Sequence, residues 1–347
     1  MIVYVKINYI YDKGDKMRLD EIDRNGTLQG YVLVKACEKK SAKNGSTYLD
    51  LMISDGESDV VAKIWDFKGA PEEQPAVGTI ILVRGSLSLY NNQPQFKIDR
   101  YRALNEKDVV DIRDFVPSAP DKGTEMFREI EKIAEGFVDE ELKKLTLAVL
   151  SNFKGRILEL PAAFKLHHAV ISGLLMHTLT LCRLAQAVSV IYPSIDVELL
   201  LTGAILHDIA KSEEFSLAPT GLVDGYTARG TLIGHLVSGA MIVSETGKEL
   251  GISEDTLMLV EHMLISHHGN PEYGAAVRPL FLEAEVLSAI DTFDANIFEI
   301  ADALKSVDVG GFTNRMWALD DRKFYNHGRR RIVTDVCIVP AKNDTED

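Results

Sequence analysis

Cysteine is scarce. Among 347 residues only Cys37, Cys182 and Cys337 occur, far apart and in no CxxC pair. That excludes a disulfide framework or a zinc ribbon and fits a reducing, cytoplasmic setting. Long apolar runs are lacking too. The most apolar stretch, Ala169 to Tyr192, carries His177, Arg183 and Gln186 and breaks at Pro193, which predicts a buried helix rather than a membrane span. The apolar start has neither a basic leader nor a small-residue cleavage site, so no secretory signal is expected. Positive charge is in deficit, with 38 Lys+Arg against 52 Asp+Glu and a net charge of −14. Such a chain is a poor general binder of phosphate backbones. No internal repeat is visible. What remains is ordinary for a globular protein, 46% apolar and 26% charged, and long enough for two domains or three.

The charge is unevenly spread. Residues 1–120 hold 17 basic against 18 acidic side chains, and the remainder 21 against 34. A nearly neutral N-terminal part can still meet a polyanion through local basic patches. Residues 1–16 precede Met17 and are a candidate start-site extension. From 17 to 104 the chain reads as strands: 27–35, 47–54, 59–65, 79–85 and 95–99, with an Asp55-Gly56 turn and a Pro-bounded turn or helix at 71–77. Five short strands with a helical insert after the third predict a Greek-key barrel of the OB type, with an unrelated small barrel as the alternative.

A polar linker with Pro117 and Pro120 occupies 105–123. Beyond it the pattern is helical, with helices expected near 124–135, 139–151, 162–191, 196–211, 230–250, 253–268 and 281–305. The fold class is therefore multidomain α and β: a five-stranded barrel, then an all-α bundle over 124–320, then a C-terminal tail at 321–347 whose last twenty residues are expected to be extended or loose.

Eight of nine histidines lie between 167 and 268. His207-Asp208 ends an apolar helix, where an imidazole and a carboxylate are costly unless compensated. A divalent metal compensates both, since imidazole and carboxylate suit Mn, Fe, Co or Zn. Lys211 shares the face of His207 and Asp208 if that helix continues. His177, His235, His267-His268 and Asp291 come from other helices, which a bundle can converge. His167 and His168 precede His177 by ten and nine residues, so ligation beside it is not expected; His168 is a candidate for the cleft rim near substrate. Asp294 can compete with Asp291 but reads as solvated, and His262 and His327 as structural or solvent-facing.

The segments Leu166–Thr178, Gly203–Lys211, Gly234-His235 and Leu264–Gly269, with Asp291, resemble the HD-domain metal-dependent phosphohydrolases. Within them they look most like the YhaM-type 3′→5′ exoribonucleases, also described as CMP-binding factors, which join an OB-fold to an HD domain. The resemblance covers about residues 17–320. It implies that His177, His207, Asp208 and Asp291 hold a first metal. It also implies that His235 and His267, or His268 in its place, hold a second bridged by Asp208, and that Lys211 faces the scissile phosphate. Gly173 stands where a glutamate would suggest a third metal, and the Gly-Tyr-Pro signature of cyclic-di-GMP hydrolases is missing. The implied catalytic residues are Lys211 and Asp208, and the implied cofactor is one or two divalent ions, Mn²⁺ first, with Co²⁺, Fe²⁺ or Zn²⁺ as alternatives.

The expected activity is hydrolysis of single-stranded RNA, or of single-stranded DNA, from the 3′ end to nucleoside 5′-monophosphates. A nucleotide phosphohydrolase with a regulatory barrel and a non-catalytic single-strand-binding factor are the competing readings. No membrane partner is expected, and a homo-oligomer is open. A barrel that grips single strands combines cations with stacking rings. The candidates are Lys35, Lys39, Lys43, Tyr48, Lys63, Trp65, Tyr90, Phe96, Lys97 and Tyr101, with Tyr90 the foremost exposed ring.

Overall fold

The computed structural model describes residue 19 and residues 27–42, 45–90, 93–164 and 168–334. Lys43, His167, Cys337 and the extension at 1–16 lie outside the described residues. The chain divides into two compact units, Met1–Pro117 and Ser118–Asp347.

In the first unit β1 (Thr27–Ser41), β2 (Thr47–Ser54), β3 (Asp59–Ile64), β4 (Ile80–Tyr90) and β5 (Gln93–Ala103) close into a barrel of strand order β1-β2-β3-β5-β4. All pairings are antiparallel except β3 with β5, and β4 closes back onto β1. This is the order of a five-stranded OB barrel. A period of two in the sequence sends Val32 and Val34, Leu49, Leu51 and Ile53, and Phe96 and Ile98 inward. Closure needs a sharp bend in β4, where the register shifts between Arg84 and Gly85. A Cβ on Gly85 would lie 2.0 Å from the Lys97 carbonyl oxygen, so only glycine lets the two strands approach.

The second unit is built on α1 (Gly123–Glu135), α2 (Glu140–Ile157), α3 (Gly173–Ile191), α4 (Val197–Leu206) and α5 (Lys211–Glu214). The chain continues through α6 (Ala228–Leu232), α7 (Gly234–Leu250), α8 (Glu254–Ser266) and α9 (Leu282–Lys305). One core of Leu, Ile, Val, Met and Ala side chains joins α1, α2, α3, α4, α7, α8 and α9. Among the described residues α3 is the one helix long and apolar enough to cross a membrane, and here it is packed within this core.

Four expectations change. The unit is not purely helical, because β6 (Phe215–Leu217) and β7 (Val223–Tyr226) form a hairpin after α5. The helix expected from 162 begins only at Gly173, since His168 and Ser172 hold positive φ of 53° and 61°, which an α-helix does not admit. The helix expected through 211 stops at Leu206, and a turn carries His207 to Ala210 before α5 restarts the chain. The loop after α9 crosses the boundary expected at 320: Phe312 bridges Tyr325 and Met316 bridges Arg322 in an antiparallel loop closed over buried Leu319 and Asn326.

Gly173 marks the start of α3 because the folded-back segment presses the His168 carbonyl against it. A Cβ there would lie 2.0 Å from that oxygen. Gly→Ala inside a helix ordinarily stabilises, whereas Gly173→Ala is expected to cost ~2 kcal/mol through overpacking. Thermal melting of the variant checks this, and an unchanged or raised Tm would refute it.

Candidate metal centre

The site is assembled at helix ends and on two helix interiors. His207 caps α4 and His267 caps α8. The last carbonyls of a helix lack partners, and each imidazole supplies one: His207 Nδ1 donates to Ala204 O at 2.9 Å, and His267 Nδ1 to Leu264 O at 2.8 Å. The three-residue step back fixes the ring and turns Nε2 away from the helix. His268 Nδ1 likewise donates to Tyr273 O at 2.9 Å. His235, in the first turn of α7, donates Nδ1–H to Glu214 Oε2 at 2.5 Å, and His177, inside α3, donates Nδ1–H to Asp294 Oδ2 at 2.7 Å. All five histidines therefore have Nδ1 tied to an oxygen, an arrangement that fixes the tautomer of a metal-binding imidazole.

The Nε2 atoms of four of these rings meet two aspartates. His177 Nε2 lies 3.2 Å from His207 Nε2 and 3.1 Å from Asp291 Oδ1. Asp208 Oδ2 lies 3.3 Å from His207 Nε2 and 3.9 Å from His177 Nε2. The other oxygen, Asp208 Oδ1, lies 3.3 Å from His235 Nε2 and 3.7 Å from His267 Nε2. One carboxylate thus faces two donor clusters, one through each oxygen. An ion with bonds of about 2.0–2.2 Å sets neighbouring ligand atoms about 3 Å apart, so this spacing fits a metal.

Buried, unsatisfied atoms give the fit test. Asp208 Oδ1, His235 Nε2 and His267 Nε2 are buried with no hydrogen-bond partner among the described residues. With Nδ1 of both rings already donating, these are three lone pairs facing one another, costly without a cation. The groups able to hold a metal ion are His177, His207 and Asp208; His207, His267 and Asp291; His235, His267 and His268; and His168, His177 and Asp294. Both His267 and His268 are brought to the centre, together with His235.

Electrostatics follow from burial and pairing. Burial favours neutral His177, but hydrogen bonds to Asp291 and Asp294 outweigh it and raise its pKa to about 10. Burial pushes Asp208 up, yet the Lys211 ammonium and the His207 ring hold it well below the usual carboxylate range. Burial likewise opposes ionisation of Asp291, which His177 overcomes. Burial, with the charge of neighbouring His207, keeps His267 well below the ordinary histidine value; burial and His235 do the same for His268. Lys211 Nζ donates to Asp208 Oδ2 at 2.6 Å, so its charge is engaged by the carboxylate itself.

Three placements correct the sequence reading. His168 is not at a rim: it is 0% exposed, donates Nε2–H to Asp294 Oδ2 at 2.8 Å and packs on Phe298. Asp294 is buried rather than solvated, because it accepts from both His168 and His177. Phe96 is no stacking surface. It is 0% exposed in the barrel core, on the inward side it shares with Ile98. Of the other barrel candidates, Trp65 and Tyr48 lie ring to ring at 4.8 Å with Lys63 Nζ 4.6 Å from the Tyr48 centroid. Tyr90 is exposed. Lys35 pairs with Asp59 and Lys97 with Asp99 on the surface, Lys39 lies over Phe67, and Tyr101 donates to the Glu73 carbonyl. His262 accepts from Leu280 N–H and His327 from Arg329 N–H.

Glu214 was missed in the sequence. Its signal was a carboxylate three residues after Lys211, but only the break after α4 and the short α5 bring it to His235.

With the geometry in place, comparison with known proteins gives a family for this region: residues 174–296 match the HD domain model. HD domains are those of metal-dependent phosphohydrolases that bind divalent ions, and the hydrolase class follows for this unit. Among solved structures, the second OB-fold domain of replication protein A from Methanococcus maripaludis aligns at 17% identity over 27% of this chain and 98% of its own, with a TM-score of 0.22. The OB domain of Ta0387 from Thermoplasma acidophilum aligns at 9% identity over 26% and 89%, again with a TM-score of 0.22. Those scores are low, and the OB assignment of the barrel rests on its own strand order.

Two outcomes are expected. Asp294→Asn removes the anionic acceptor behind His177 and should weaken Mn²⁺ binding about 10–100-fold while the protein stays folded; isothermal titration measures it, and unchanged affinity would refute the role. The pH dependence has a defined sign. With its folded value raised from 6.5 to about 10, His177 contributes stability to the metal-free protein in full below about pH 6.5. That contribution is lost as the pH rises toward 10. A metal displaces the Nε2 proton, so the rise in Tm on adding Mn²⁺ should grow between about pH 6.5 and 9. Calorimetry showing a flat or shrinking increment would contradict it.

Proposed function

We propose that the protein is a metal-dependent 3′→5′ exoribonuclease that hydrolyses single-stranded RNA to nucleoside 5′-monophosphates, using the centre around Asp208. The observation that carries the reading is a single buried carboxylate whose two oxygens face separate pairs of imidazole Nε2 atoms, those at Oδ1 being buried without a hydrogen-bond partner among the described residues. His177, His207, Asp208 and Asp291 would hold one divalent ion, and Asp208, His235, His267 and His268 a second. Bound there, such ions lower the pKa of water toward 7 and neutralise charge on a phosphodiester.

The chain's own groups do the rest. Glu214 and Asp294 hold two rings from behind, and the Ala204, Leu264 and Tyr273 carbonyls hold three more, so no ligand has to reorganise during reaction. Lys211 donates to Asp208 Oδ2, and its ammonium would be available to a non-bridging oxygen of a phosphate bound at Asp208. Burial of the donor set removes competing water from it. The substrate class is supported by the OB strand order and by exposed groups on the barrel. Trp65 against Tyr48 with Lys63 nearby, and Tyr90 on its own, supply the ring-and-cation combination that holds single strands. The 3′ polarity rests on the likeness of the motifs around His177, His207-Asp208 and His267 to the YhaM-type enzymes.

Digestion of 5′-labelled RNA with Mn²⁺ tests the proposal. A ladder descending one nucleotide at a time from the 3′ end is expected, with Asp208→Asn slower by about 10³-fold or more. Phosphate release from mononucleotides with intact RNA would replace it by a nucleotide phosphohydrolase. Full activity in Asp208→Asn would remove the centre from the chemistry.

A further inference from the structure

After α9 the chain changes electrostatic character. Residues 121–347 carry 21 basic against 34 acidic side chains, yet residues 306–334 alone carry six basic against three acidic. Four of the ten arginines of this unit lie beside carboxylates: Arg156 and Arg229 pair with Glu213, Arg183 with Glu129, and Arg322 lies near Asp320. Arg329, Arg330 and Arg331 do not. All three are exposed, and none has a carboxylate partner among the described residues. Three adjacent cations with no carboxylate partner among the described residues repel one another, which favours an anion beside them.

The same lobe displays aromatic surface. Trp317 is 75% exposed, Phe312 61% and Tyr325 49%, large rings that a folded domain ordinarily covers at least in part. Phe312 and Tyr325 lie side by side with centroids 5.0 Å apart, across the bridge that joins the two arms of the loop. The rings do not mark an unfolded segment, because Thr313, Leu319 and Asn326 beneath them are buried and Asn326 donates to the Val307 carbonyl.

Two grooves meet on this lobe. One, of about 600 Å³, is lined by Arg330 and Arg331 among Leu304, Val309, Ile332 and Val333, with Lys305 at its wall donating to Thr334 Oγ1, and so offers two guanidinium groups on an apolar floor. The other, of about 460 Å³, is lined by Phe312, Asn314 and Met316 and offers a ring, an amide and a thioether. Val307 borders both. Each lies within the ~300–1,000 Å³ of pockets that receive small ligands. A cationic groove adjoining a ring-lined one is the combination that takes a phosphate in one and a base in the other.

We infer that the loop at 306–334 is a second contact for single-stranded RNA, separate from the barrel, in which Arg329, Arg330 and Arg331 bind phosphates and Trp317, Phe312 and Tyr325 stack on bases. An apolar protein partner would not need the unpaired guanidinium groups, and a bare anion would not need three exposed rings. A single strand uses both. The inference rests on the nucleic-acid reading above and gives the HD unit a grip of its own on the substrate. Longer RNA is thereby favoured over short RNA.

The test is fluorescence anisotropy on the full chain with labelled oligo(U) of about 20 nucleotides in EDTA, so that nothing is cut. The triple variant R329A/R330A/R331A should bind about tenfold more weakly, and the slope of log K against log salt should shrink by about 2, at about 0.7 per phosphate. Trp317→Ala should weaken binding about fivefold or more at an unchanged salt slope. In a Trp65→Phe background Trp317 is the sole tryptophan, and its emission should be quenched by oligo(U). Cleavage of a dinucleotide with Mn²⁺ should be unaltered in R329A/R330A/R331A and in Trp317→Ala. Wild-type affinity and salt slope in the triple variant would overturn the inference while leaving the nuclease reading intact. A change of sedimentation coefficient in the triple variant with unaltered RNA affinity would overturn it in favour of an interface between copies. Failure of the wild-type chain to bind any RNA would overturn both readings.

Discussion

A carboxylate surrounded by imidazoles and cut off from water organises the HD unit. Asp208 is 3% exposed, and an isolated buried carboxylate is among the most costly groups a protein can hold. Lys211 neutralises it through Oδ2, but Oδ1 faces only the lone pairs of His235 and His267. Much of the surrounding architecture serves to keep these groups there. Helices α4 and α8 stop so that their last carbonyls orient His207 and His267, and α5 is short enough to deliver both Lys211 and Glu214. Asp291 and Asp294 sit one turn apart on α9, so one meets Nε2 of His177 and the other its Nδ1. The unit is built with a deficit of positive charge at its centre that a divalent ion would fill.

Two physical demands separate along the chain. The barrel needs little chemistry from its interior, and its inward residues are uniformly apolar. The functional content proposed for it lies on the outer surface, in exposed Trp65 and Tyr90 and in half-buried Tyr48 and Lys63. The helical unit puts its chemistry inside, which is why its histidines are buried and each is held by a second oxygen. Polyanion recognition by a chain of net charge −14 must then be local. The exposed arginines at 329–331, which have no carboxylate partner among the described residues, are local in this sense.

Much of this was legible in the residues. Alternation gave the five strands, because a half-buried strand has a period of two, and the insert after the third pointed to the OB type. His207-Asp208 was legible because polar ligands at the end of the run from Val197 to Leu206 have no other inexpensive explanation. Less legible were features that depend on where helices break. Nothing local states that the chain leaves the helix at Leu206, since Ile209 and Ala210 are good helix residues; the imidazole capping Ala204 is a tertiary outcome. Asp294 read as solvated because its partner His168 lies 126 positions away. His168 reaches it only through a left-handed turn packed against Gly173. Phe96 was misjudged although Ile98, two residues on, marked the inward face. The folded loop after Val307 was hidden by its polar composition, which resembles a tail until Leu319 and Asn326 are seen to be buried.

The central claim is that Asp208 joins two cation sites through its separate oxygens. Crystals of the protein soaked in Mn²⁺ and measured at the manganese absorption edge test it most directly. Two anomalous peaks are expected, one within bonding distance of Asp208 Oδ2, His177 and His207, the other of Asp208 Oδ1, His235 and His267. A difference map with no peak at Asp208, or a manganese ion bound elsewhere while these side chains keep their present contacts, would contradict the account.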